Sequence, residues 1–276
     1  MIGQSVLGSA VRRSVPLGGG AARVELADGR TVVVKDGPGV AAEAAGLRWL
    51  AVPGGPPLPA ALGCADDRLV TSHIADGHPS IEAAALLGRR LAVLHAAGAP
   101  ACGSGPPDAS PHTWIGRAPM ENARGASWAP WYAEHRIGPY LRMARAAGDL
   151  TVAEGTVIER VCARLPELAG PPEPPARLHG DLWSGNVLWS PDGAWLIDPA
   201  AHGGHRETDL AMLVLFGCPH LDAVLGAYDD AAPLAPGWRD RVPLHQLFPL
   251  LVHVALFGRG YAGQTVAAAR AALRTG

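Results

Sequence analysis

Residues 178–199 read LHGDLWSGNVLWSPDGAWLIDP. This stretch gives the strongest indication of the fold. Asp181 stands five positions before Asn186, and a second aspartate, Asp198, follows twelve positions later. Two short apolar runs flank the turn residues SPDG at positions 190–193, which predicts a β-hairpin. Such a hairpin brings the two aspartates and the asparagine to one place.

These side chains are groups that phosphoryl transfer needs, namely oxygen ligands for a cation and an acceptor that positions the attacking hydroxyl. Asn186 and Asp198 carry the oxygen atoms that Mg²⁺ prefers. The spacing matches the catalytic loop of kinases, with Gly180 in place of the usual arginine. An ordinary aspartate pKa of about 3.9 is too low to ionise a hydroxyl beforehand. We therefore expect Asp181 to orient the hydroxyl and to take its proton late in the reaction.

The only lysine of the chain supports the same interpretation. Of the 23 basic residues, 22 are arginine and one, Lys35, is lysine. It ends the segment 23–35, RVELADGRTVVVK, whose central Asp28-Gly29 predicts a hairpin between two strands. Eight positions later, Glu43 lies on a predicted helix. Because kinases pair a strand lysine with a helix glutamate at the phosphates of ATP, both residues are predicted to bind nucleotide.

The order of predicted elements indicates an α+β, two-lobed fold. We expect a small N-lobe, residues 1–75, with an antiparallel sheet and one helix, and a larger, mostly helical C-lobe, residues 76–276, with the catalytic-loop hairpin. The segment 103–127 is rich in glycine and proline, so we expect it to be irregular. Late helices are predicted at 207–217, 220–229, 242–257 and 262–274.

Composition excludes several classes of partner. A formal charge of -2 with 17% charged residues does not suit nucleic acid. The longest apolar stretch, 247–257, is too short to cross a membrane, and no signal-peptide pattern is present, so a cytoplasmic location is expected. The four cysteines form no C-x-x-C pair, which predicts free thiols. The oligomeric state stays open.

The runs LHGDLWSGNVLW (178–189) and IDPAAHGGHRETDLAMLVLFG (197–217) resemble the signature of the fructosamine kinase, or ketosamine-3-kinase, family. This family is a branch of the aminoglycoside-phosphotransferase-like kinases. The resemblance extends through EAAGLRWL (43–50) and LGRRLAVLH (87–95). It implies a protein-kinase-like fold that uses ATP and Mg²⁺ to phosphorylate the 3-hydroxyl of ketoamines, which are sugars rearranged on amines. Because such phosphoesters are unstable, it also implies a role in protein deglycation.

The resemblance and the patterns above together give a set of predicted site residues. They are catalytic Asp181; nucleotide-binding Lys35, Glu43, Ser72, His73, Ile74, Gly19 and Gly20; metal-binding Asn186 and Asp198; and substrate-contacting Trp183, Asn122 and Trp128. The three hinge residues follow from the resemblance, as adenine-binding backbone. The two glycines lack a full G-x-G-x-x-G pattern, so a plain turn is the alternative. An indole face suits a sugar ring or an amine, although core packing is the alternative for Trp128.

Other interpretations remain open from the sequence. A kinase for another hydroxylated amine, such as an aminoglycoside or a choline-like compound, needs the same machinery. A kinase-like binding protein without turnover is disfavoured, because no catalytic position is missing. His202 and His205 could hold a metal, but a glycine-rich loop with incidental histidines is the simpler interpretation. Asp209 is expected to bond backbone groups near the catalytic loop or to cap its helix.

Overall fold

The structure of the chain is a computed structural model that describes residues 7–65, 67–107 and 109–274. Five antiparallel strands form the N-terminal sheet in the order β1-β2-β3-β5-β4. Their bounds are β1 Val11–Gly18, β2 Ala21–Leu26, β3 Thr31–Asp36, β4 Ala61–Ala65 and β5 Arg68–Ser72. The predicted hairpin at Asp28-Gly29 is confirmed as the β2–β3 connection. Strand β1, which the sequence analysis does not predict, is almost wholly exposed and therefore shows no apolar alternation.

The sheet has one apolar face and one face turned toward the helix that follows β3. Val32 and Val34 are buried with β2 residues in a small core. Because side chains alternate along a strand, Lys35 projects from the other face. Helix α1, Val40–Leu50, covers that side, and its residues Val40, Ala44 and Leu47 pack with Leu69 of β5. The helix glutamate therefore meets the strand lysine.

The rest of the chain is mainly helical and contains two larger apolar cores. The helices are α2 Ile81–Ala96, α3 Trp128–Trp131, α4 Gly138–Ala146, α5 Val152–Leu168, α6 Glu207–Phe216, α7 Leu221–Ala231, α8 Trp238–His245, α9 Leu247–Phe257 and α10 Ala262–Arg274. A π-helical segment, Tyr132–Ile137, joins α3 to α4. In the described part of the chain, no helix has both the length and the apolar character that crossing a bilayer requires.

The helix predicted at 242–257 is two helices, and this prediction was wrong. Gln246 ends α8 and precedes α9. Pro249 lies in the first turn of α9, where its missing N–H breaks no helical hydrogen bond. A helix start at this point therefore tolerates the proline better than one unbroken helix does.

Three two-stranded sheets complete the fold. They are β6 His112–Ile115 with β7 Ala118–Glu121, β8 Ala176–Leu178 with β11 His202–Gly204, and β9 Val187–Ser190 with β10 Gly193–Leu196. The β9–β10 pair is the predicted catalytic-loop hairpin. The β6–β7 pair lies in the segment expected to be irregular, so that expectation was wrong there. The proposed lobe boundary after residue 75 falls in the connection between β5 and α2.

All four cysteines are free, as predicted.

Candidate active site

Lys35 is the point where the two parts of the fold meet. Its Nζ donates a hydrogen bond of 2.7 Å to Glu43 Oε1 on α1 and also contacts Asp198 Oδ1, which follows β10. Burial alone would lower the pKa of Lys35, but the two carboxylates outweigh it and raise that pKa. The side chain is 15% exposed, so a charged ammonium is held between two anions. A pair this buried fixes geometry more than it adds stability.

Asp198 has a strained backbone. Its φ of +55° lies in the left-handed region, which is costly for a residue with a side chain. Strain of this kind persists where the surroundings fix the residue, often at functional sites. Here it directs the carboxylate toward Lys35.

Asn186 and Asp181 face each other across the catalytic loop. Asn186 Nδ2 donates to the backbone oxygen of Asp181 at 2.8 Å and to its Oδ2 at 3.1 Å. The backbone oxygen of Asn186 accepts from Ile197 N–H at 3.0 Å, which places the asparagine next to the segment of Asp198. With the Asn186 amide nitrogen occupied in this way, its oxygen is the atom that could bind a cation.

Asp209 holds the backbone of the catalytic loop. Its Oδ2 accepts from His179 N–H at 2.7 Å and its Oδ1 from Gly180 N–H at 2.9 Å. His95 Nε2 lies 3.2 Å from the same carboxylate, and His95 Nδ1 lies 2.8 Å from the Tyr228 hydroxyl. The expected bonds from Asp209 to the loop backbone are therefore confirmed. Burial opposes its charge, yet the His95 contact and the backbone donors lower the pKa of Asp209 overall.

His179 helps to hold the backbone of Asp181 in place. It is fully buried; its Nε2 donates to Ile197 O at 2.9 Å, while its Nδ1 accepts from Asp181 N–H at 3.3 Å. Burial lowers the pKa of His179, so the neutral ring is favoured. The ring therefore links the segment after β10 to the loop that carries Asp181.

The carboxylate of Asp181 is a stronger base than the sequence suggests. Burial raises the pKa of Asp181 to about 7; the Asn186 hydrogen bond opposes the rise, and the charges of Asp198 and Asp209 add to it. The expectation of an ordinary aspartate pKa was therefore wrong, because the sequence does not show that the Asp181 carboxylate is buried away from water.

Gly180 stands where many kinases carry arginine, and the structure gives a physical reason. Its φ is +82°, a conformation that glycine adopts without steric cost. An added Cβ would lie 2.2 Å from Ala200 O and 2.8 Å from His202 Nδ1. The space of the arginine side chain is filled by the strand that follows Asp198.

The predicted hinge lies at the end of β5. Ser72 is tied to the neighbouring segment, because its Oγ accepts from Ala60 N–H at 2.9 Å and its N–H donates to Ala60 O at 3.0 Å. His73 and Ile74 follow the strand and are partly exposed. Neither forms a backbone hydrogen bond with any described residue, so their N–H and C=O groups are available to a ligand.

Gly19 and Gly20 form the turn between β1 and β2, with φ values of +59° and +84°. A Cβ added at Gly19 meets nothing within 4 Å, whereas one at Gly20 would lie 2.9 Å from Asp36 O. This turn sits on the same sheet as Lys35, since Ala21 pairs with Lys35 in the β2–β3 ladder.

Trp183 lies two positions after Asp181, with 40% of its surface exposed. Its N–H donates to Asp181 O at 3.1 Å, and its ring meets the edge of Phe216 at a centroid distance of 6.0 Å. An added Cβ at Gly185 would lie 2.3 Å from the indole. The Trp-Ser-Gly sequence therefore makes room for an aromatic surface beside Asp181.

The structure does not bring Asn122 and Trp128 into this cluster. Asn122 is 7% exposed, and its Oδ1 accepts from Arg136 at 3.1 Å. Trp128 stacks on Tyr132 and on His245, with centroid distances of 4.6 and 4.7 Å. Both side chains are thus engaged within the helical part, which fits packing roles.

A second cluster, His205, Glu207 and His245, has potential ligand atoms within 4.8 Å of one another. Arg241 already pairs with Glu207 through hydrogen bonds of 2.5 and 3.0 Å. A guanidinium on the carboxylate opposes binding of a second cation, so this cluster acts as internal structure. His202 is separate from it, with its Nδ1 2.8 Å from Ala200 O.

Sequence reasoning missed residues whose importance depends on tertiary contacts. No local pattern relates His95 to Asp209, which it contacts in the structure. Trp114 stands in a segment expected to be irregular. The only available signal was the short alternation HTWI at 112–115.

The fold and this site together define a two-lobed, α+β structure of the protein-kinase-like class. At 14% identity, the structure of aminoglycoside phosphotransferase APH(4)-Ia in a ternary complex with ADP and hygromycin B matches with a TM-score of 0.64, covering 97% of this chain and 95% of that one. At this identity the match shows the fold alone.

The family is shown by closer matches. The fructosamine kinase family model matches residues 37–275, and the chain belongs to that family. A proposed fructosamine-3-kinase from Thermobifida fusca is 48% identical, with a TM-score of 0.90, covering 98% of this chain and 96% of that one. Ketosamine-3-kinase of Mus musculus is 36% identical over 156 residues, 56% of this chain and 50% of the relative. The chain spans about half the length of the curated relatives it matches.

Proposed function

We propose that this protein is a ketoamine kinase, which transfers the γ-phosphoryl group of ATP to a sugar hydroxyl of a ketoamine. The observation that carries the proposal is the meeting of Lys35, Glu43 and Asp198 beside the Asp181–Asn186 pair. Family membership supports the choice of acceptor, since relatives carry ketosamine kinase names.

Asp181 would bind the acceptor hydroxyl and receive its proton. A carboxylate with a pKa of about 7 is ionised in a large fraction of molecules at neutral pH, and it holds a proton far better than an ordinary aspartate. The Asn186 hydrogen bond to Oδ2 fixes the carboxylate plane, so that one oxygen stays directed to the hydroxyl. The late acceptance of a proton suits the loose transition state of phosphoryl transfer.

Asn186 and Asp198 would hold Mg²⁺. One amide oxygen and one carboxylate form a donor set that suits this hard cation, which keeps waters and phosphate oxygens as further ligands. Bound there, the cation supplies charge neutralisation for the triphosphate. The strained backbone of Asp198 is consistent with a residue that binds a ligand.

Lys35 and the hinge would bind the nucleotide. The ammonium is kept charged by its two carboxylate neighbours, so it can hold α- and β-phosphate oxygens. The backbone groups of His73 and Ile74 are available for the edge of a base. Trp183 offers its exposed indole to the acceptor, and a protonated ketoamine nitrogen suits an aromatic face.

A panel of acceptors tests the proposal. The purified protein is given MgATP with ribulosamine and fructosamine adducts of Nα-acetyl-lysine, the unmodified amino acid, an aminoglycoside or choline, and ADP release is measured. We expect release with the two ketoamines only. Release with the aminoglycoside or choline alone would assign the protein to the alternative kinase classes. Absence of release with every acceptor, at any Mg²⁺ concentration, would leave a binding protein.

A further inference from the structure

The helix that carries Glu43 begins without a side-chain cap. Gly39 precedes α1, and no side chain in the described part of the chain accepts a hydrogen bond from the first turn. Glu43 N–H donates to Gly39 O at 3.0 Å, so Gly39 and Glu43 belong to the same turn. Helix starts are commonly fixed by a polar side chain that binds the free N–H groups. Here the position of this turn must come from packing.

Trp114 supplies that packing. A Cβ added at Gly39 would lie 3.2 Å from Trp114 Cδ1 and 3.4 Å from Cγ. The indole therefore lies directly on the glycine, one helical turn before Glu43. Glycine at this position permits the close approach, and even a Cβ here would require the indole or the helix start to shift by a few tenths of an ångström.

The strand that carries Trp114 is anchored in the C-terminal part of the fold. Along β6, Thr113 and Ile115 are buried while Trp114 is only partly buried. Because neighbouring side chains of a strand point to opposite faces, Trp114 projects away from the core that holds Ile115 and Met120.

Hydrogen bonds from the helical region fix the second strand of this hairpin. Tyr140 Oη donates to Pro119 O at 2.8 Å, and Arg136 donates to Glu121 O at 2.8 Å and to Asn122 Oδ1 at 3.1 Å. Arg136 is completely buried and forms no ion pair with any carboxylate of the described residues. Its donors are therefore used largely on the hairpin and the residue that follows it.

The middle of α1 rests on the segment after Asp198. An added Cβ at Gly46 would lie 3.2 Å from both Pro199 Cγ and Ala201 Cβ. The helix is thus supported by the C-terminal part at two separate points. One point adjoins Glu43, and the other adjoins the proposed metal ligand.

We propose that the β6–β7 hairpin is a brace, with Trp114 as a positioning residue that holds the first turn of α1 where Glu43 pairs with Lys35. The kinetic part of its test rests on the proposed function, whereas the binding and labelling parts need no acceptor. Loss of the indole leaves an uncapped helix start that is held by fewer contacts, among them the packing of Val40 in the core that includes Leu69. Glu43 then shares its time between paired and unpaired positions.

The single lysine gives a direct measurement of this pair. Trp114→Ala and Trp114→Phe are compared with the unchanged protein in three assays: KM for ATP against kcat, affinity for a non-hydrolysable MgATP analogue, and acylation rate of the peptide containing Lys35. For Trp114→Ala we expect nucleotide affinity to fall about five- to thirtyfold, acylation of Lys35 to accelerate several-fold, and KM for the ketoamine to stay within about twofold. Trp114→Phe should restore most of the affinity.

Controls separate the brace from general damage. Arg117→Ala alters an exposed residue between the two strands and should change none of the three measurements. Gly39→Val should lower nucleotide affinity alone, and less so in combination with Trp114→Ala, because the removed indole leaves room. Thermal unfolding checks that each variant is folded.

The assays distinguish failure of the brace from failure of the proposed function. If MgATP protects Lys35 in the unchanged protein, and Trp114→Ala labels and binds nucleotide identically, the brace is refuted while the nucleotide site stands. If MgATP gives Lys35 no protection even in the unchanged protein, the proposed function fails first. A Trp114→Ala variant that loses only thermal stability, with unchanged affinity and labelling, also refutes the brace.

Discussion

The catalytic loop at 178–186 and the glycine turn at 18–20 are held in opposite ways. In the loop, His179 and Gly180 donate their N–H groups to Asp209, and the fully buried His179 accepts from Asp181 N–H. In the turn, a Cβ added at Gly18 or Gly19 would meet nothing within 4 Å, and the preceding strand β1 is almost wholly exposed.

The difference shows which side chains this fold must hold in an exact position. A group that accepts a proton must stand within hydrogen-bond distance of one hydroxyl, and a buried network holds it there. The glycine turn, if it covers a triphosphate as proposed, can adapt to that ligand through backbone N–H groups, so few internal contacts suffice. Substitutions in the loop should therefore change rates strongly, and substitutions in the turn should change mainly nucleotide affinity.

The largest effect is expected for Asp181→Asn. The amide cannot accept the proton of the hydroxyl, so kcat should fall about 10²- to 10⁴-fold, while the affinity for MgATP stays within about twofold. Steady-state ADP release and equilibrium nucleotide binding measure the two quantities. Asp192→Asn, in the turn of the same β9–β10 hairpin, is the matched control and should keep full activity. Unchanged kcat in Asp181→Asn would remove this residue from its role.

Asp209→Asn should weaken the loop itself. The buried carboxylate binds two backbone N–H groups and His95, so its loss should lower the free energy of unfolding by about 2 to 4 kcal/mol and lower kcat as well. Urea unfolding and ADP release measure both changes. Asp222→Asn, on the exposed start of α7, should change stability by less than about 0.5 kcal/mol. Equal losses in the two variants would contradict the special role of Asp209.

Stability should depend on pH through Asp181. Its folded pKa of about 7 lies above the ordinary value of 3.8, so the folded state binds this proton more tightly than the unfolded state. Its stabilising contribution is complete below pH 3.8 and is lost as the pH rises through about 7. Because asparagine does not ionise, Asp181→Asn should gain about 2 to 3 kcal/mol relative to the unchanged protein between pH 5 and pH 8.

Urea unfolding at both pH values measures this gain. A stability difference between the two proteins that is the same at pH 5 and pH 8 would show that burial does not raise the pKa of Asp181.

The smallest effect is expected for Gly19→Ala. A φ of +59° is strained for alanine by about 1 kcal/mol, so KM for ATP should rise a few-fold with kcat unchanged. Gly29→Ala, in the open β2–β3 turn with φ +88°, provides a control with similar strain away from the site. It should lose similar stability without any change in KM. A large fall in kcat for Gly19→Ala would contradict the contrast between turn and loop.

The same contrast explains what could be predicted from the sequence. Asp181, Asn186 and Asp198 lie close together along the chain, and the apolar runs around the turn SPDG predict the hairpin that unites them. Lys35 was found because it is unique and ends an alternating strand. Glu43 was predicted from the helical spacing of its segment. The parts of the site that depend on local patterns can therefore be predicted from the sequence.

Features that depend on contacts between residues far apart in the chain could not be predicted from the sequence. Strand β1 has exposed residues on both faces, so no alternation marks it. The raised pKa of Asp181 depends on burial, and the brace depends on Trp114 meeting a glycine 75 positions earlier. The roles of Ser72, His73, Ile74, Asn186 and the other proposed site residues remain predictions until they are measured.

Phosphorus NMR of a reaction containing a ribulosamine adduct and MgATP tests the central claim most directly. The expected result is one new phosphomonoester signal on the sugar, equal in amount to the ADP formed, and a rate of its formation about 10²- to 10⁴-fold lower when Asp181→Asn replaces the unchanged protein. ATP consumption without a phosphorylated ketoamine, or the same ester formed at an unchanged rate by the Asp181→Asn variant, would contradict the proposed site.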